Sequence, residues 1–179
     1  MLEGARVRLR IAEKTDAPRL VEIRRTPEVY RHWRGGDDLV KAVEEDFAEV
    51  DDDVTAYVIL LDDDIVGWIQ WGSEEEPDYR HAHMDIYVDP AVHGRGVGTD
   101  AVRTLARHLF VDHGYHRLEI DPAADNAPAI RCYTKVGFKP VGITRQSERG
   151  SDGTWHDGLL MDLLAAELTE PETSTQTAP

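Results

Sequence analysis

The chain has one cysteine, Cys132, in 179 residues. That excludes an internal disulfide framework and any multi-cysteine metal centre, and a lone thiol fits a reducing, cytoplasmic setting. No apolar run is long enough to span a bilayer, and Met1 to Arg6 lack the pattern of a secretion signal. Basic residues are scarce: 20 Lys and Arg stand against 35 Asp and Glu, a net charge of −15. Such a chain repels nucleic acid and anionic membrane surfaces, so neither is an expected partner. The imbalance is local, with 12 acidic residues and one lysine between Asp37 and Asp64. Two readings of that segment stand: a solvated face that aids solubility, or a field that concentrates a small molecule bearing several ammonium groups.

The length fits a single domain over residues 1–168, with Thr169 to Pro179, rich in Thr, Glu and Pro, reading as a disordered tail. Arg6 to Ile11 alternates as a half-buried strand, and Thr15 or Asp16 can cap a helix through Arg24, which Pro27 breaks. Asp37 or Asp38 can cap a second helix with the stripe Leu39, Val43, Phe47 and Val50. Thr55 to Leu61 and Ile65 to Trp71 form a hairpin, and His81 to Val88 the next strand. A helix to about His113, a strand at Arg117 to Asp121, a short helix near Ala127 to Lys135 and a closing pair, Phe138 to Thr144 and Trp155 to Leu163, complete the pattern.

The most informative stretch is DPAVHGRGVG, Asp89 to Gly98. It places Gly94, Gly96 and Gly98 where a strand hands over to a helix, so bare backbone N–H groups and the positive end of a helix dipole face an anion. It is not a Walker loop, since no Lys-Ser or Lys-Thr follows Gly98, and G-R-G-V-G is not the dinucleotide spacing. A plain strand-to-helix turn is the rival explanation. Downstream, DNAPAIRCYTKVGF (Asp125 to Phe138) holds Pro128 for a helix first turn, Tyr133 in the last turn and Gly137 as terminator.

Loop, helix, strand, tyrosine-bearing helix and Gly-Phe together resemble the Gcn5-related N-acetyltransferase (GNAT) family, over about residues 5 to 165. Within it, the run from Ile120 to Phe138 and the segment His32-Trp33-Arg34-Gly35-Gly36 are most similar to the aminoglycoside 6′-N-acetyltransferase group. The resemblance implies an α/β (α+β) fold with a mixed, mainly antiparallel, splayed sheet and about four helices. It implies acetyl-CoA as co-substrate, a small cationic amine as acceptor, a monomer or homodimer, and direct acyl transfer with no metal. His93, Gly94, Arg95, Gly96, Val97, Gly98 and Thr99 would cradle the pyrophosphate, although the family's loop usually begins with Gln or Arg where His93 stands. The peptides of Ile86, Tyr87 and Val88 would hold the pantetheine arm, with a backbone N–H near Val88 polarising the acetyl oxygen, and Asn126 would reach the arm's amides.

Tyr133 is the expected general acid, because a phenol holds its proton at neutral pH and can pass it to a departing sulfur. Asp85 is the expected base and acceptor contact, Asp121 an amine anchor, and Trp33 an aromatic wall for a sugar ring or amine. Rival roles stay open: Tyr133 or Trp33 as core packing, either Asp as a turn cap, Asn126 as a helix cap. His81 and His83 share a strand face, but no third ligand stands at useful spacing. The acceptor could instead be a protein N-terminus, a polyamine or a siderophore-precursor amine, or the chain could bind acyl-CoA or antibiotic without turnover.

Overall fold

A computed structural model of the chain describes residues 1–33, 38–49, 54–150 and 153–171. Eight strands form one sheet in the order β1-β2-β3-β4-β5-β6-β8-β7. They are β1 (Leu2–Glu3), β2 (Arg8–Ile11), β3 (Val54–Leu61), β4 (Asp64–Glu74), β5 (His81–Val88), β6 (Arg117–Ile120), β7 (Lys139–Arg149) and β8 (Trp155–Leu164). All neighbours are antiparallel except β5 and β6. The helices are α1 (Ala17–Arg24), α2 (Pro27–Tyr30), α3 (Leu39–Glu49), α4 (Val97–Val111) and α5 (Ala127–Val136).

The central strands read as near-continuous apolar runs because both faces are covered. On β3, Tyr57 and Ile59 join one cluster with Met84, Val102, Leu105, Leu109, Leu118 and Phe138, under α4 and α5. Ala56, Val58 and Leu60 join the other, with Leu20, Ile23, Val43, Trp68 and Tyr87, under α1 and α3. Across that second face, buried Arg24 of α1 donates to Asp46 of α3 at 2.5 Å.

The start of α4 is locked to the first hairpin. Buried Asp100 accepts from the peptide N–H groups of Ala5 (3.2 Å), Arg6 (2.6 Å) and Val7 (3.0 Å). Gly4 is required there, because a Cβ would stand 2.5 Å from the Asp100 carboxylate.

The structure differs from the sequence reading in local ways. Pro27 ends α1 but also opens the one-turn helix α2, since proline suits a first helical position. Strand β1 is two residues long and carries no readable alternation. The ordered chain continues past the expected boundary at 168: Thr169 N–H bonds to the Val136 carbonyl, and its own carbonyl accepts from Arg103 Nε at 2.8 Å. Asp38 caps α3 by accepting from Lys41 N. The alternative cap Asp37, the helix-stripe residue Val50, the segment Arg34-Gly35-Gly36 and the tail from Glu172 onward lie outside the described residues.

Replacing Asp100 with Ala strands three peptide donors, one of them buried. The substitution is expected to cost about 3 kcal/mol of folding stability, read as a lower denaturant midpoint with unchanged slope.

Candidate functional site

The site begins where the sheet comes apart. β5 pairs with β6 only at Ala82–Leu118 and His83–Glu119. Beyond that, β5 stays with β4 as far as Val88–Gly67, while β6 follows β8. The Asp89 N–H donates to the Val66 carbonyl and so continues the β4 ladder. By the alternation of an antiparallel pair, the peptides of Asp85 and Tyr87 then face β4, and those of Ile86 and Val88 face the gap. Of the three peptides assigned to the pantetheine arm, Tyr87 therefore drops out. Its side chain instead packs on the α1–α3 face, edge-on to Trp33 with ring centroids 4.9 Å apart.

The glycine loop follows at the open end of β5. Gly94 and Gly96 adopt φ of +74° and +80°, the left-handed region that a side chain resists. Gly96 is the N-cap of α4, and the Asp100 N–H makes the first bond back to its carbonyl. The amides of Val97, Gly98 and Thr99 are thus without intrahelical acceptors. A cavity of about 380 Å³ opens beside them, lined by Arg6, Leu61, Gly94, Arg95 and Val97. Left-handed glycines, free amides and two arginines make a fitting cradle for a diphosphate. His93 departs from its assigned role, because its Nε2 donates to the Val88 carbonyl at 2.9 Å. That bond joins the loop to the end of β5, and Thr99 Oγ1 lies 3.3 Å from Cys132 Sγ of α5. Burial raises the Cys132 pKa, so the thiol is an inert neighbour.

A second cavity, about 300 Å³, lies in the gap itself. It gathers Trp33, Asp85, Ile86, Asp121, Asn126 and Tyr133 from four separate stretches of chain. Tyr133 is buried at 7% exposure, and burial first, then Cys132, Asp85 and Asp121, pushes its pKa well above the ordinary phenol value. Its ring packs in the core cluster beside Phe138, and among the described residues its hydroxyl makes no hydrogen bond. Asp85 is half-buried, and its pKa is raised by burial and by the charge of Asp121. Asp121 sits at the exposed rim, yet the surrounding protein removes enough water to raise its pKa too. Asn126 Oδ1 accepts from Ala129 N at 3.3 Å, so the capping role is real and leaves its NH₂ group for other partners.

Sequence reading missed His32, Ser147, Glu148 and Gly158, which also line this cavity. The β7–β8 hairpin reaches the gap only through tertiary folding, and nothing local to Ser147 or Glu148 marks that. Arg31 donates to Asp125 at 2.6 Å, linking the end of α2 to the loop before α5. His81 is held 3.4 Å from Glu119, and among the described residues no group of three His, Cys, Asp or Glu is placed to hold a metal. No helix among them is long and apolar enough to cross a membrane.

The acetyltransferase (GNAT) domain family matches residues 6–139. An aminoglycoside N(6′)-acetyltransferase type 1 of Klebsiella pneumoniae is 28% identical over 153 residues, covering 76% of this chain and 75% of the relative. RimJ of Mycobacterium smegmatis, solved with CoA-disulfide, superposes with a TM-score of 0.80 at 26% identity, covering 92% of this chain and 84% of that one. AAC(6′)-Ib, solved with paromomycin and acetyl-CoA, gives 0.76 at 25% identity, covering 94% and 99%.

The two raised carboxylates oppose folding at neutral pH. A group whose pKa rises on folding contributes stability below its unfolded pKa and loses it as pH climbs through the folded one. Asp85→Asn is therefore expected to raise the melting temperature at pH 7 and to leave it little changed at pH 3. Asp121→Asn removes a like charge and should lower the Asp85 pKa, followed by carboxyl NMR titration.

Proposed function

This chain belongs to the GNAT acetyltransferase family and is an acetyl-CoA-dependent N-acetyltransferase; from that premise we propose that it acetylates the 6′-amine of aminoglycosides. The observation that carries the reading is the convergence of Asp85 and Asp121 on one cavity with Tyr133. An aminoglycoside carries several ammonium groups on linked rings. Two carboxylates within an acidic chain hold such a molecule by charge, and Trp33 supplies an apolar wall.

In the proposed reaction the acceptor amine gives a proton to Asp85, either directly or through water. Burial and the Asp121 charge strengthen that base, since a carboxylate with a raised pKa competes better for an ammonium proton. The amine nitrogen bonds to the acetyl carbon while the carbonyl oxygen takes the Val88 N–H, which faces the gap. As the carbon–sulfur bond breaks, Tyr133 passes its proton to sulfur and takes back the proton that the acylated nitrogen releases. The surroundings that raise its pKa keep the phenol protonated at neutral pH.

The test is free-thiol release from acetyl-CoA with a panel of amines. Kanamycin and tobramycin should turn over, and an analogue with a 6′-hydroxyl should not. Turnover on peptides alone, or binding without turnover, overturns the reading. Tyr133→Phe is expected to lower kcat about 100-fold with little change in coenzyme affinity. Acceptor affinity should fall as salt rises from about 0.05 to 0.5 M, because the attraction is largely between charges; a salt-independent KM counts against the acidic attractor.

A further inference from the structure

We infer that Arg6 is a phosphate-binding residue, its guanidinium closing on the coenzyme's pyrophosphate from the side of the glycine loop that the β1–β2 turn covers. The inference rests on the coenzyme reading of the loop and adds to it a residue far away in sequence. Were Gly96 to carry a Cβ, that atom would stand 3.4 Å from Arg6 Nε and 3.6 Å from its Cδ. Arg6 also lines the 380 Å³ cavity with Gly94, Arg95 and Val97. Its backbone is fixed at the same place, because its N–H donates to Asp100 Oδ2 in the first turn of α4. Turn and helix start are therefore one body, and the side chain leaves that body beside the free amides.

The charge at this spot is positive in an acidic protein. Acidic residues outnumber basic ones, 35 to 20. Arg8, Arg10, Arg19, Arg24, Arg31 and Arg117 each pair with a carboxylate. Among the described residues the Arg6 side chain makes no ion pair or hydrogen bond, and Arg95 has no carboxylate partner either. The one carboxylate in the first turn of α4, Asp100, is occupied by three peptide donors. Two arginines and the positive end of α4 thus meet, an arrangement that repels itself until an anion enters. Amides supply direction to a phosphate oxygen; a guanidinium supplies a full charge and paired donors.

The test is calorimetric titration without acceptor, using coenzyme A, dephospho-coenzyme A (pyrophosphate kept, 3′-phosphate absent) and phosphate-free pantetheine. Arg6→Gln, which keeps the backbone bond to Asp100, is expected to bind both nucleotides about tenfold more weakly and pantetheine no differently, with an unchanged melting temperature. Arg6→Lys should recover part of the loss. Unchanged coenzyme affinity in Arg6→Gln overturns the inference. So does a loss that vanishes with dephospho-coenzyme A, which moves the contact to the 3′-phosphate, or a loss that persists with pantetheine. A wild-type chain that fails to bind coenzyme A overturns the loop reading itself, a result separable from all of these.

Discussion

The parting of β5 from β6 is the constraint on which the rest of the molecule turns. A sheet normally satisfies its own peptide groups, and unpaired ones away from water are costly. Here the ladder stops after His83 and Glu119, and each strand keeps its antiparallel partner on the other side. The break leaves the Ile86 and Val88 peptides facing a gap, and the gap is where the cavity lined by Asp85, Asp121 and Tyr133 lies. The His93–Val88 bond then fixes the glycine loop to the end of the parted strand, so peptide edge and anion cradle hold a common geometry. A long extended thioester that presents amides at one end and a diphosphate at the other matches that layout.

Charge is divided along the same line. The loop end concentrates unpaired arginines and helix amides, and the gap end concentrates carboxylates. Acetyl-CoA brings the anions and an amine acceptor brings the cation, so each substrate has an end of complementary sign. The protein pays for this in stability, since Asp85 and Asp121 are held near one another with raised pKa values and Tyr87 buries a hydroxyl without a partner. Local conflicts of this kind gather where function needs them.

Much of this was legible in the chain. Alternation in Met84, Ile86 and Val88 followed by three glycines announces a strand, a turn and a helix start suited to an anion, because glycine conformations and helix ends are local physics. Pro128 and Gly137 bound α5 by the same kind of rule. Together with the resemblance they carry, these signals point to Asp85, Asp121, Asn126 and Tyr133 as parts of one site. They could not say that Tyr87 turns its peptide to β4, that His93 bonds to Val88, or that Thr169 is pinned by Arg103.

What the sequence by itself determined is therefore the set of local elements and the acidic balance, whose causes lie within a few residues of each other. What only the tertiary structure decided is which distant groups meet. Arg6 stands 90 positions before Gly96, and Glu148 far from Asp85, yet folding brings Arg6 beside the loop and both carboxylates to one cavity. Such pairings depend on ladder register and helix packing, which are set by burying two apolar faces of one sheet at once, and no short window of residues records that.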